Sequence, residues 1–150
     1  MTVPHKTIYI NFFDSIDLTK VNKFIQFTAE VIKQHTPTEL YFFIASNGGD
    51  VDSGFVLYNF LVSLQGKLIV TMHNTGTIDS IANVIFVGGQ KRYGAPNASF
   101  LFHGVSMNFN GPQGRTAIKE SLSRLEGMEN RIARTVSKHS KFGGSYATDL

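Results

Sequence analysis

A serine hydroxyl attacks a carbonyl only when a neighbouring imidazole can take its proton. Ser80, in Gly76-Thr77-Ile78-Asp79-Ser80-Ile81-Ala82-Asn83, and His103, 23 residues further on at the end of Ser99-Phe100-Leu101-Phe102-His103, are the two residue types that step needs. Acyl transfer also needs backbone N–H groups aimed at the developing oxyanion, and Gly48-Gly49 in Ser46-Asn47-Gly48-Gly49 lets backbone come close to a substrate. Each part also has a plainer use. Small polar residues at strand-to-helix turns commonly cap the helix, a strand-end histidine often does no more than hydrogen-bond, and paired glycines make turns. Taken together in one small chain, they are the parts a serine hydrolase requires.

These residues need elements to position them. Ile8–Phe13 is rich in β-branched and aromatic residues and reads as a buried strand. A helix follows, capped by Asp17 or Thr19, with Val21, Phe24, Ile25, Thr28 and Ile32 on one face, and Pro37 ends the run. Leu40–Ala45 is a second strand, the Ser46–Gly49 turn follows, and Val51, Gly54, Phe55, Tyr58, Leu61 and Val62 give a second helix its apolar face. Leu68–Met72 predicts a third strand, Asn74-Thr75-Gly76 a turn, and a short helix begins near Ser80. Lys91–Tyr93 and Ser99–Phe102 read as short strands around Pro96-Asn97, with His103 at the end of the second. Ile118, Leu122, Leu125, Met128, Ile132 and Val136 mark one face of a long helix from Gly114 to about Lys141, which Gly143-Gly144 ends. Strands alternating with helices at this spacing predict an α/β fold with a largely parallel sheet. Sites in such sheets form at the carboxyl ends of the strands, where both the Gly48-Gly49 and Ser80 turns fall.

Composition narrows the function classes. At 150 residues the chain is expected to be one domain over 1–150, burying roughly 70% of the surface its unfolded form exposes. It has no Cys, so its core is expected to hold by packing without disulfides or thiolate metal sites, and the cytoplasm is the expected setting. The five histidines show no paired spacing of the H-x₃-H kind, which argues against a metal hydrolase. The net charge of +3 is spread among alternating acids and bases, a pattern that does not favour nucleic acid. No apolar run approaches the ~20 residues of a membrane span, and the first residues lack the apolar stretch of a signal peptide.

The order of these motifs resembles the proteolytic subunit of the Clp protease, a serine peptidase family whose fold is shared with the crotonases. Ser46-Asn47-Gly48-Gly49-Asp50-Val51 is similar to the family's Ser-Pro-Gly-Gly turn, and Gly54–Tyr58 to the helix after it. Gly76-Thr77-Ile78-Asp79-Ser80-Ile81 falls where the family has its nucleophile turn, Gly-x-Ala-Ala-Ser-Met. Gly88-Gly89, Arg92-Tyr93, Pro96-Asn97 and His103 follow in the family's order. The resemblance implies repeated β-β-α units, a mostly parallel sheet and a long C-terminal helix. It implies Ser80 as nucleophile, His103 as general base, and the amides of Gly49 and Ile81 as the oxyanion hole. Peptide would lie as an added strand between Gly49–Val51 and the segment after His103, with Gly48, Asp50 and Val51 as substrate-binding residues. It implies polypeptide substrates, no cofactor, a homo-oligomer of two stacked seven-membered rings, and work with an ATP-driven unfoldase.

Four departures from the family pattern bear on activity. Asn47 replaces the turn proline. Thr77-Ile78-Asp79 replaces small residues, so that Asp79 either caps the following helix or alters substrate choice or activity. Gly104-Val105 follows His103 where the family usually has Gln-Pro. The family's aspartate comes roughly fifty residues after its histidine; here Asp149 is the acid near that place, unless the partner lies beyond Leu150, the expected domain lacking the family's C-terminal end. Two other readings follow: a ring-building subunit without activity, and a crotonase-type acyl-CoA enzyme, which would leave Ser80 and His103 idle.

Overall fold

The computed structural model describes residues 4–140. The chain divides into two compact units, one through Leu101 and one from Phe102.

The first unit runs β1 (Thr7–Phe13), α1 (Leu18–His35), β2 (Glu39–Ser46), α2 (Val51–Leu64), β3 (Ile69–Asp79), α3 (Ala82–Val87), β4 (Lys91–Gly94) and β5 (Ser99–Leu101). All pairings are parallel, in the order β1-β2-β3-β4, and β5 joins β3 beyond the end of β4. Strands added in chain order through helical crossovers of one hand place successive helices on one face. Leu40, Phe42 and Ile44 of β2 and Val70 and Met72 of β3 are buried, as are Val21 of α1 and Leu57 and Leu61 of α2. Phe24 of α1 packs edge-on to Phe12 at 5.0 Å and against Phe42 at 5.6 Å. Asp17 caps α1 by accepting from the Lys20 amide at 2.9 Å. Thr36, in a left-handed conformation, ends the helix just before Pro37.

The other face carries aromatic rings. Tyr9 and Phe13 are 64% and 58% exposed. Tyr41 stacks on Tyr93 at 6.3 Å and its hydroxyl bonds His73 Nδ1 at 2.8 Å.

At the amino ends of the strands Glu39 is buried among donors. Thr71 Oγ1 donates to its Oε1 at 2.5 Å and Thr7 Oγ1 to Oε2 at 3.2 Å, while Lys91 Nζ lies 3.6 Å from Oε1 and His5 Nε2 3.0 Å from Oε2. Burial works against its charge, but the Thr71 bond, the Lys91 charge, the Thr7 bond and the His5 charge outweigh it and hold the carboxyl below its usual range. A lowered folded-state pKa gives stability that is present above the unfolded value and lost as pH falls through the folded one. Urea midpoints are therefore expected to fall as pH drops below about 4. The fall should be shallower in Glu39→Gln, and identical slopes would assign the acid limb to other groups.

Two sequence expectations are corrected. Asn74-Thr75-Gly76 does not end the third strand, which continues to Asp79. Asn74 is fully buried, its Nδ2 donates to the Ser99 carbonyl at 2.8 Å and its Oδ1 accepts from the Gly76 amide at 3.0 Å, so it joins strands instead of making a turn. The register against β2 shifts between Ile44 and Ser46, which lets β3 carry on beside β5. The short helix starts at Ala82 rather than near Ser80.

In the second unit α4 (Arg115–His139) is the long helix expected from the apolar spacing. Ala133 and Val136 are buried near its carboxyl end, whereas Ile118 and Leu122 are 52% and 55% exposed. Gly143-Gly144 lies outside the described residues.

Candidate active site

Ser80 occupies the turn between β3 and α3 with φ +54°, a left-handed conformation unusual for a residue with a Cβ. The turn is tied down by backbone. The Ser80 amide donates to the Leu101 carbonyl at 3.0 Å. Its carbonyl accepts from the Asn83 amide at 3.1 Å and from Asn83 Nδ2 at 3.0 Å. The same Nδ2 also reaches the Leu101 carbonyl at 2.8 Å, so one buried side chain clamps the serine turn to the end of β5. No side chain caps α3, whose N-cap is Ile81, so Ser80 is not the cap that a strand-to-helix serine usually is.

Asp79 does not cap α3 either. It is the last residue of β3, and its Oδ1 is buried without a hydrogen-bond partner in the structure. This arrangement puts an unsatisfied carboxylate oxygen in the residue beside the serine, a costly placement.

Gly48 and Gly49 stand at the end of β2, with φ +83° and +150°. A Cβ on Gly48 would come 2.8 Å from the Ser80 Cβ and 3.5 Å from its Oγ, so the serine side chain lies directly against this turn. A Cβ on Gly49 would overlap the Ile16 carbonyl oxygen and lie 2.9 Å from the Ile16 nitrogen. Ile16 donates to the Gly48 carbonyl at 2.9 Å and accepts from the Asp50 amide at 2.8 Å, a parallel bridge centred on Gly49. In that pattern the N–H and C=O of Gly49 point away from Ile16. The Gly48 amide is held by Ser46 Oγ at 3.2 Å.

Beyond the turn, Asp50 caps α2 by accepting from the Ser53 amide at 2.7 Å and the Ser53 hydroxyl at 2.6 Å, and Val51 is buried at the first position of the helix. Gly54, one turn on, has no side chain because Ile81 occupies the space. A Cβ there would overlap Ile81 Cγ1 and lie 3.2 Å from Cδ1. Gly54→Ala gains about 1 kcal/mol of helix propensity but overpacks a fully buried contact at a cost of roughly 1–3 kcal/mol. A lower melting temperature is expected, and an unchanged one would show that Ile81 makes room for the added methyl.

An open cleft of about 360 Å³ lies at the same carboxyl end of the strands, lined by Phe13, Asp14, Ala45, Asn47 and Thr77 among others. Lys20, 2.7 Å from Asp14, donates to its carboxylate and holds its pKa below the usual value.

His103 belongs to the second unit and stands two residues past β5, not at its end. Its Nδ1 lies 2.9 Å from the Gly104 carbonyl oxygen, which can only accept, so Nδ1 carries the proton. The Val105 amide donates to Glu129 Oε1 of α4 at 3.0 Å. Asp149 lies outside the described residues. The structure thus gathers Ser80, Ile81, Gly48, Gly49, Asp50 and Val51 in the first unit, with His103 in the second. Sequence reasoning missed Asn83, Ile16 and Glu129. No periodicity or motif marks the first two, and Glu129 sits on the charged face of a helix.

A family model for the Clp protease matches residues 5–145. The chain belongs to the Clp protease family. It is 30% identical over 96 residues to the ATP-dependent Clp protease proteolytic subunit 2 of Pseudomonas aeruginosa, covering 62% of this chain and 47% of that protein. It is 27% identical over 101 residues to the proteins of the same name from Treponema denticola and Borreliella burgdorferi, covering 66% of this chain and 48% and 49% of theirs. The match spans about half the length of these Clp relatives. Membership accounts for the α/β fold with its parallel sheet and long C-terminal helix. Among the described residues no helix is long and apolar enough to cross a membrane.

Proposed function

We propose that this chain is a ClpP-type serine endopeptidase that hydrolyses unfolded polypeptide through an acyl-enzyme. In this reading Ser80 Oγ attacks the scissile carbonyl and its proton moves to His103 Nε2. The amides of Gly49 and Ile81 receive the oxyanion, and the peptide lies as an added strand along Gly48–Val51. The observation that carries it is the conformation of Ser80. A serine held at φ +54° between a strand and a helix, its backbone bonded on both sides and its hydroxyl unused as a cap, is a nucleophile turn in form. The Gly49 amide, turned off the Ile16 ladder beside that serine, supports the oxyanion assignment.

Family membership and the relatives' names, those of proteolytic subunits of an ATP-dependent protease, support assembly into oligomeric rings working with an ATP-driven unfoldase; a cytoplasmic setting is part of the same proposal. Exposed Tyr9 and Phe13 on a parallel sheet face, a surface normally covered, favour an oligomer.

A second reading is a ring subunit without activity, favoured by the unpartnered carboxylate oxygen of Asp79 next to Ser80. A fluorophosphonate probe separates the two. Covalent labelling that maps to Ser80 is the expected result, and a folded, assembled protein that takes no label establishes the inactive subunit.

A further inference from the structure

His103, Gly104, Val105 and Glu129 form a continuous chain of hydrogen bonds within the second unit. The imidazole donates from Nδ1 to the Gly104 carbonyl at 2.9 Å. The N–H of that same peptide group, on Val105, donates to Glu129 Oε1 at 3.0 Å. One peptide unit therefore links a carboxylate to the imidazole face on which a serine hydrolase carries its aspartate.

We propose that Glu129 is a positioning residue for His103, acting through the Gly104–Val105 peptide. The role rests on the reading of His103 as general base. A hydrogen bond to a carboxylate is stronger than a neutral one, and bonds in series polarise each other, so Glu129 makes the Gly104 carbonyl a better acceptor. That acceptor keeps the proton on Nδ1 and the lone pair on Nε2, the tautomer that can take the proton of Ser80 Oγ. When it does, the imidazolium keeps its Nδ1 proton, no proton reaches Glu129, and the polarised carbonyl faces the new positive charge.

The two residues after His103 are those the relay needs. Where the resembled family has Gln-Pro, a proline would bring no N–H to donate, and Val105 supplies one. A Cβ at Gly104 would stand 3.2 Å from Glu129 Oε1, so the glycine lets the carboxylate approach the backbone. The loop is exposed, which weakens the electrostatic part. The expected loss is accordingly about tenfold in rate, against the order of 10⁴ for a buried triad aspartate.

The test uses ¹⁵N-histidine-labelled protein at a pH where the imidazole is neutral, with the His103 signal assigned by its disappearance in His103→Gln. The Nδ1–H tautomer is expected to dominate. In Glu129→Ala the population should move toward Nε2–H, and fluorophosphonate acylation of Ser80 should slow about tenfold. Glu129→Gln, which keeps a neutral acceptor, should fall between. Val105→Pro should reproduce the Glu129→Ala shift, and the double variant should go no further, because both cut the same chain. An unchanged tautomer in Glu129→Ala, or additive effects in the double variant, overturns the proposal. A tautomer that responds as expected in a protein that is never acylated leaves Glu129 as the positioning residue and removes the peptidase reading instead.

Discussion

Ser80→Ala is expected to lower peptidase activity by about 10⁴-fold or more while leaving the fold in place. The loss is large because nucleophile, base and oxyanion donors act as a unit, so removing the attacking oxygen leaves only what binding and the oxyanion hole can do. The retained fold follows from the turn itself. Serine and alanine both carry a Cβ, so the strain of φ +54° is common to both, and the lost hydroxyl caps no helix. Ser80 is fixed by its backbone bonds to Leu101 and Asn83, which alanine keeps. Stability should change by no more than about 0.5 kcal/mol. Turnover of an unfolded protein substrate and a urea melt on the same preparations decide the matter: a variant that cleaves at the wild-type rate sinks the nucleophile assignment, and one that unfolds shows the hydroxyl to be structural.

Gly49→Ala should cost both stability and activity. Its φ of +150° is a conformation few side-chain-bearing residues adopt, worth on the order of 1–3 kcal/mol. The new methyl would also meet the Ile16 carbonyl, which is backbone and cannot rotate away. Relief requires the Gly48–Asp50 segment to leave Ile16 and forfeit the bonds at 2.9 and 2.8 Å that aim the Gly49 amide. The expected loss is roughly 3 kcal/mol or more in the urea midpoint, and about 100-fold in acylation, the scale of one oxyanion donor. Gly66→Ala is the control, since Gly66 has φ +94° with nothing within 4 Å of the added Cβ. Equal losses in the two variants would mean that the contact with Ile16 contributes nothing.

Much of the first unit was legible because its strands and helices carry local patterns. Leu40, Phe42 and Ile44 of the run Leu40–Ala45 and Val21 and Thr28 of the helical spacing are buried in the sheet and its helices, whereas the run Ile8–Phe13, read as a buried strand, buries only Ile10 and Phe12 and turns Tyr9 and Phe13 outward. The first half of the third strand was legible as well, but its continuation to Asp79 was not, because Asn74 and Gly76 look like punctuation until a partner strand arrives to bond the asparagine. The register of β3 against β5 is a long-range fact that no window of sequence contains. At the site, residue types were readable and conformations were not. Ser80 could be singled out from its surroundings, but its left-handed backbone, and the start of α3 two residues later, depend on the clamp from Asn83 to Leu101. Glu129 is 26 residues from His103 on a helix whose acids and bases look alike, and only the absence of proline at position 105 hinted that the following amide has a use.

The clamp around Ser80 also sets when conformational entropy is lost. Fixing a backbone residue in one conformational well costs about 1–2 kcal/mol, more in a left-handed one. Here that cost is met during folding, when Asn83 closes on the Ser80 and Leu101 carbonyls, and not when a polypeptide arrives. Binding energy from a disordered substrate chain, which must itself be ordered to lie beside Gly49, is then left for the substrate alone.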